Sequence, residues 1–299
     1  MVDINSALEA TVRIGTPLLL AGLGETILER SGVINIGIEG VMLSGAFGGF
    51  CAAWGCGSPW AGACVGMLCG GLLMLIFALI VLRFRADQIV TGMAIYLVAL
   101  GITSTIFLRM SRKGALQAPT FGPVLRAWRE VPVLGPLLFA QSPMTWAAIG
   151  LIAALWYYLE RSERGLELRA VGENPAAAEA SGVSVIACRW KACFAAGLLG
   201  GLGGAFLTIS QTASFDSKCT SGRGFVALAA VVLGRYSPIG TALACLFFGA
   251  AFYARDAFPS GQIQTDVVEM LPYVLTLVVL CLKSQSMAAP AALGKPYTR

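Results

Sequence analysis

Apolar runs recur along this chain at about 7–24, 36–54, 59–82, 88–109, 143–159, 186–210, 223–254 and 264–282. A bilayer's hydrocarbon core, about 30 Å thick, takes roughly 20 helical residues to cross, and within it every backbone amide must bond inside its own segment. Runs of this length, repeated this often, predict an all-α polytopic integral membrane protein. Charge agrees, since 12% of residues are Asp, Glu, Lys or Arg against about 25% in soluble domains. The run at 223–254 is too long for one straight span and is interrupted by GRYSPIG, Gly234 to Gly240. It is expected as a short helix plus a full one, or as two half-embedded pieces. Counting broken or half-embedded helices, about 8–10 membrane segments are expected, in a single transmembrane domain over residues 1–299. The N-terminal MVDINSALEA lacks the basic stretch of a secretory signal, so the first apolar run is expected to remain as a span.

Composition removes several kinds of chemistry. There is no histidine, which takes away the usual general base and the commonest metal ligand. No GxSxG, HExxH or GxxxxGK[ST] motif occurs. A membrane enzyme is therefore disfavoured, the chain is not expected to hydrolyse ATP by itself, and no metal site or cofactor is expected in it. The net charge of +5 is scattered over loops; a positive excess in cytoplasmic loops explains it, and no nucleic-acid partner is implied. The nine cysteines show no CxxC spacing. Cys51, Cys64, Cys69, Cys193, Cys245 and Cys281 fall in apolar runs and read as small buried hydrophobes. Cys56 and Cys219 lie beside loops placed outside, where a disulfide is chemically allowed but nothing in the sequence calls for one.

Lysine and arginine placement gives the orientation. Arg161, Arg164, Arg169, Arg189 and Lys191 put the 160–191 region, with its loop at about 160–185, in the cytoplasm. Alternation then places Arg83, Arg85 and the C-terminal tail with Lys283, Lys295 and Arg299 on the same side. The 110–142 loop falls outside despite Arg112, Lys113, Arg126 and Arg129; the rule weakens as loops lengthen.

Small residues recur at GxxxG spacing, at Gly45 and Gly49, Gly66 and Gly70, Gly197 and Gly201, and Gly200 and Gly204. Such faces let helix backbones approach closely in lipid, here either within the bundle or against a partner subunit. GETILERSGVINIGIEGVMLSGAF, Gly24 to Phe47, concentrates Glu25, Glu29, Arg30, Asn35 and Glu39 beside or inside apolar sequence. Charges at membrane depth face a cavity or a partner, and Ser31-Gly32 with Gly37 and Gly40 would permit a broken helix. Asn35 and Glu39 share one face if the helix is continuous there. They read either as a polar wall of a translocation path or as an internally paired cluster. In RFRADQIVTG, Asp87 reads as an N-cap. In GRYSPIG, Tyr236 and Ser237 read as an ordinary turn or as a gate lining a pore.

AVGENPAAAEASGV, Ala170 to Val183, stands out on the wet side. Asn174 is a good N-cap, Pro175 suits the first helical position, alanines with Glu179 propagate the helix, and Gly182 ends it. A helix of about seven residues spans only ~10 Å and is unstable alone in water, so it must dock. Its small, flat alanine face suits a protein groove better than lipid. Glu179, far from the helix N-terminus, is left free for an outside contact.

These residues resemble the permease subunits of bacterial ABC importers of the branched-chain amino acid, ribose and nucleoside type. ERSGVINIGIEGVMLSGAF is similar to that family's N-terminal signature, in the form of its nucleoside/simple-sugar branch. AVGENPAAAEASGV is similar to its cytoplasmic coupling segment, and SGRGFVALAAVVLGRYSPIG with ALGKPYTR to its C-terminal part. The N-terminal motif of the amino-acid branch usually carries a histidine that this chain lacks. The resemblance implies a type II ABC importer-like fold in the bacterial cytoplasmic (inner) membrane, where charge placement expects a cytoplasmic C-terminus. It implies a second permease subunit, identical or related, two ATPase subunits that bind ATP and magnesium, and an extracytoplasmic solute-binding protein. Glu173, Asn174, Pro175, Ala177, Ala178, Glu179 and Gly182 would then contact the ATPase. Asn35, Glu39, Tyr236 and Ser237 are the candidates for the path of a small neutral polar solute such as a nucleoside, base or sugar. The alternative is an ion-coupled secondary transporter or channel.

Overall fold

Prolines and glycines punctuate the chain where the apolar runs begin and end, and every regular element among the described residues is helical. The structure, a computed structural model, describes residues 4–112, 116–123, 139–257, 274, 281 and 289–297. The helices are α1 (Ile4–Arg30), α2 (Ile38–Cys56), α3 (Pro59–Ala78), α4 (Gln88–Ser111), α5 (Pro143–Arg161), α6 (Glu163–Glu173), α7 (Pro175–Ala180), α8 (Val185–Phe206), α9 (Arg223–Leu233) and α10 (Pro238–Ala257). Proline opens α3, α5, α7 and α10, where its missing N–H would be unpaired anyway. Gly57, at φ +65°, closes α2. Asp87 caps α4 as expected, its carboxylate accepting from the Val90 amide at 2.9 Å. The last turns of α3 and α8 widen into π geometry through Arg83 and Thr212.

Among the described residues, four helical stretches are long and apolar enough to cross a membrane by themselves: Pro59–Arg83, Gln88–Ser111, Val185–Thr212 and Pro238–Arg255. Their burial differs sharply. Over an apolar length of 18 residues the Val185–Thr212 stretch is 83% buried and the Gln88–Ser111 stretch only 28%, so α8 is a central post and α4 a peripheral one. The outer side of α3 exposes Val65, Leu68, Leu72, Ile76 and Leu79 at helical spacing, an apolar stripe. The 223–254 run breaks at Gly234 to Ser237 into the 11-residue α9 and the 20-residue α10. At 1.5 Å per residue α9 is about 16 Å long, roughly half a hydrocarbon core. The expected run at 264–282 lies outside the described residues, apart from Val274 and Cys281.

Two expectations change. The first apolar run does not stop near residue 24; α1 continues through GETILER to Arg30, and Glu25, Thr26 and Glu29 are buried. Helix α1 runs through the middle of the bundle against α5, α8, α9 and α10, so its polar groups meet protein there; Thr26 pairs with Thr241 of α10 at 3.0 Å. The GxxxG pairs, for which a partner subunit was one destination, are used within the chain. A Cβ on Gly45 would strike the Gly201 backbone, one on Gly66 would lie 2.8 Å from the Gly45 carbonyl, and one on Gly70 would strike the Gly197 carbonyl. Helices α2, α3 and α8 thus meet backbone to backbone along one glycine seam, where dispersion at close range replaces the hydrophobic effect lost in lipid.

Candidate functional site

At one end of the bundle the coupling candidates form a contiguous knob. Asn174 sits between α6 and α7, and its side-chain oxygen accepts from the Ala177 amide at 3.1 Å. Pro175 then opens the six-residue α7. Gly182, at φ +88°, ends it, with the Gly182 amide donating to the Glu179 carbonyl and the Val183 amide to the Ala178 carbonyl. Both ends of α7 are therefore satisfied locally.

A helix of six residues, about 9 Å long, still needs something to lie on, and the chain itself supplies it. Ala178 is buried with Val171 and Val185, and Tyr297 of the C-terminal tail packs on that cluster. The Tyr297 hydroxyl also donates to the Glu179 carboxylate, so Glu179 is engaged rather than free for an outside contact. Glu173 is taken as well, its carboxylate accepting from the Ala291 amide at 3.2 Å. Asn174, Ala176, Ala177, Ala180 and Gly182 remain exposed and make the outward face: small, flat and almost without charge.

The four path candidates are not brought to one place. The helix is interrupted over 31–37, so Asn35 and Glu39 do not share a helix face. Asn35 accepts from the Gly37 amide at 2.9 Å and donates to the Glu25 carboxylate at 3.3 Å, inside the bundle. Glu39, in the first turn of α2, accepts from the Gly222 and Gly224 amides, both at 2.7 Å. It caps the N-terminus of α9 from another helix, with its charge at the positive end of two helix dipoles. Gly224 has no room for a side chain, since a Cβ would lie 2.7 Å from the Glu39 carboxylate and amide. Tyr236 and Ser237 stand at the other end of α9. The Tyr236 carbonyl accepts from Arg30 at 2.7 Å, and Ser237 accepts from the Gly240 amide at 3.1 Å, capping α10.

The Glu39 geometry gives a direct prediction. Glu39→Ala leaves two amides without their acceptor, at about 1–3 kcal/mol each, and is expected to lower the thermal midpoint of the detergent-solubilised protein. Glu39→Gln keeps one acceptor oxygen and is expected to lose less. Equal midpoints for Glu39→Ala and the unaltered chain would contradict the capping role.

Sequence reasoning missed Arg189. It counted only as one more cytoplasmic charge, yet it is buried near the start of α8, donating from Nε to the Ser31 carbonyl at 3.2 Å and from Nη1 to the Lys295 carbonyl at 3.3 Å. The available signal was a lone arginine inside the apolar run 186–210. Cys56 and Cys219 are both free thiols.

Comparison with known proteins gives a consistent result. The profile of the family described as "Branched-chain amino acid transport system / permease component" matches residues 7–280. The guanosine ABC transporter permease protein NupQ of Bacillus subtilis is 36% identical, over 97% of this chain and 95% of its own length. The nucleoside ABC transporter permease protein NupC of Lactococcus lactis is 32% identical, over 95% of this chain and 94% of its own. Among solved structures, an inward-facing conformation of a proposed metal-chelate type ABC transporter superposes with a TM-score of 0.54 at 18% identity, over 93% of this chain and 85% of that one.

Proposed function

Because the chain belongs to the branched-chain amino acid transport system permease family, we propose that it lines the route by which nucleosides, or their bases, cross the membrane. It is a permease subunit of an ABC importer and a multi-pass protein of the inner membrane. The observation that carries the solute class is the full-length similarity to NupQ and NupC, whose names give guanosine and nucleoside. Low charge among the spanning helices suits a neutral polar solute, which needs no buried counter-ion.

The remainder of the proposal concerns assembly. The outward face of α7 seats in a cleft of a separate ATPase, which binds and hydrolyses ATP with magnesium. A second permease subunit, identical or related, forms the other wall of the path, and a solute-binding protein delivers the nucleoside from outside. The C-terminal tail, bonded to α6 and α7, lies with them on the cytoplasmic side. A short helix with satisfied ends and a bare alanine face supports the docking role, since small side chains allow close approach without desolvating charge.

Uptake measured in cells lacking their own nucleoside importers tests the solute. Co-expression of this chain with its ATPase, partner permease and binding protein is expected to give ATP-dependent accumulation of labelled guanosine, with no uptake of leucine. Leucine uptake without guanosine uptake would overturn the nucleoside reading. Solute movement down an ion gradient by the purified chain alone would overturn the ATP-coupled assembly.

A further inference from the structure

The C-terminal tail does more than cover the base of α7. Five successive contacts fasten it, three to the coupling knob and, between them, two to the spanning core. The Ala291 amide donates to the Glu173 carboxylate at 3.2 Å, and the Ala292 amide to the Gly172 carbonyl at 2.9 Å. The Gly294 amide donates to the Gly32 carbonyl at 3.1 Å. The Lys295 carbonyl accepts from Arg189 at 3.3 Å, and the Tyr297 hydroxyl donates to Glu179. Contacts at 291, 292 and 297 hold α6 and α7; those at 294 and 295 hold the α1–α2 turn and α8.

These segments converge on Gly32. At φ +85° it adopts a backbone conformation that side chains disfavour. A Cβ there would lie 2.9 Å from Arg189 Nη2, 3.3 Å from the Ala292 carbonyl and 3.4 Å from the Gly172 Cα. Gly172 is equally confined, since a Cβ on it would strike the Arg30 carbonyl. The α1–α2 turn, the end of α6, the start of α8 and the tail therefore touch at one point. Arg189 locks that point by holding the Ser31 and Lys295 carbonyls with one rigid planar fork.

We propose that the segment Pro290–Tyr297 is a strap that makes α7 move as one body with the α1–α2 turn, so that a displacement of α7 reaches α1 and α2 instead of being absorbed in the 160–185 loop; this rests on the coupling role proposed above for α7. Without the strap, α7 is joined to the core by its flanking chain and by a cluster of three buried side chains, Val171, Ala178 and Val185. A six-residue helix held that way can tilt independently. With the strap, α7 is tied through Tyr297 and Lys295 to Arg189, and through Gly294 to the turn that begins α2. Tyr297 and Arg189 are positioning residues in this device and touch neither solute nor nucleotide.

The test uses the complete transporter, co-purified with its ATPase and partner permease, in liposomes with solute-loaded binding protein. Two variants are compared with the unaltered chain: Tyr297→Phe, which keeps the ring on its cluster and removes only the hydroxyl, and a truncation after Ala289. Three quantities are read: the amount of ATPase that co-purifies, the ATP hydrolysed, and the solute transported per ATP. Both variants are expected to retain the ATPase at the unaltered level while solute transported per ATP falls about tenfold, the scale of one lost hydrogen bond to a charged group. Unchanged transport per ATP in Tyr297→Phe overturns the strap, as does a loss of transport that only tracks lost ATPase. Failure of the unaltered chain to recruit an ATPase overturns the coupling role of α7 itself, an outcome visible before any variant is compared.

Discussion

Ala177→Asp is expected to abolish solute uptake and solute-stimulated ATP hydrolysis while leaving the chain inserted and folded. Ala177 is exposed on the outward face of α7, and its amide already bonds to Asn174. An aspartate three residues after the cap stands near the positive end of the helix dipole, where a carboxylate is favourable by about 0.3–1 kcal/mol. The helix itself is therefore not weakened. In an interface, the same carboxylate loses its water without gaining a partner, which costs several kcal/mol; at about 1.4 kcal/mol per factor of ten, uptake falls by roughly a hundredfold or more. Glu179→Arg is expected to be as damaging, but it also removes the acceptor for Tyr297, so it reports on two contacts at once. Normal uptake by Ala177→Asp, at normal expression, would remove α7 from the coupling surface.

The second large effect lies in the glycine seam. A Cβ on Gly204 of α8 would strike the Met42 carbonyl of α2, and backbone at that contact cannot turn aside as a flexible side chain can. Gly204→Val is expected to push α2 and α8 apart, at more than the roughly 1–3 kcal/mol of ordinary overpacking, and to leave little monodisperse protein after detergent extraction. Gly101, with open space at its Cβ position on peripheral α4, supplies the control: Gly101→Val is expected to be tolerated. Similar yields from the two variants would contradict the seam as the centre of the fold.

Spans such as α3, α4 and α8 were legible because membrane helices announce themselves through length and apolar composition, which are local properties of sequence. So was the break at Gly234–Ser237, since a 32-residue apolar run with a Pro and two glycines at its interruption has no straight solution. What local pattern cannot reveal is what a polar side chain meets across the bundle. Glu39 and the Gly222–Gly224 amides are more than 180 residues apart in sequence, and nothing near Glu39 says that its partner is a helix terminus. For the same reason the run ending near residue 24 falls short of α1, which carries Glu25 and Glu29 on to Arg30, buried by other helices. Helix α7 shows both sides of this. Its cap, its proline and its terminal glycine were readable residue by residue, but the tail that supports it lies 118 residues away at the Tyr297–Glu179 contact. Shortness alone therefore suggested an outside partner for a face that the chain covers itself, while the opposite face stays bare.

Everything proposed for α7 depends on this bare face meeting an ATPase. A photo-activated cross-linking residue introduced at Ala177 in the working transporter tests it most directly. Irradiation is expected to give an adduct between this chain and the ATPase subunit, and none from the same residue placed at Gly101 on the outer side of α4. An active transporter in which residue 177 yields no ATPase adduct, or links only to lipid, would contradict the account.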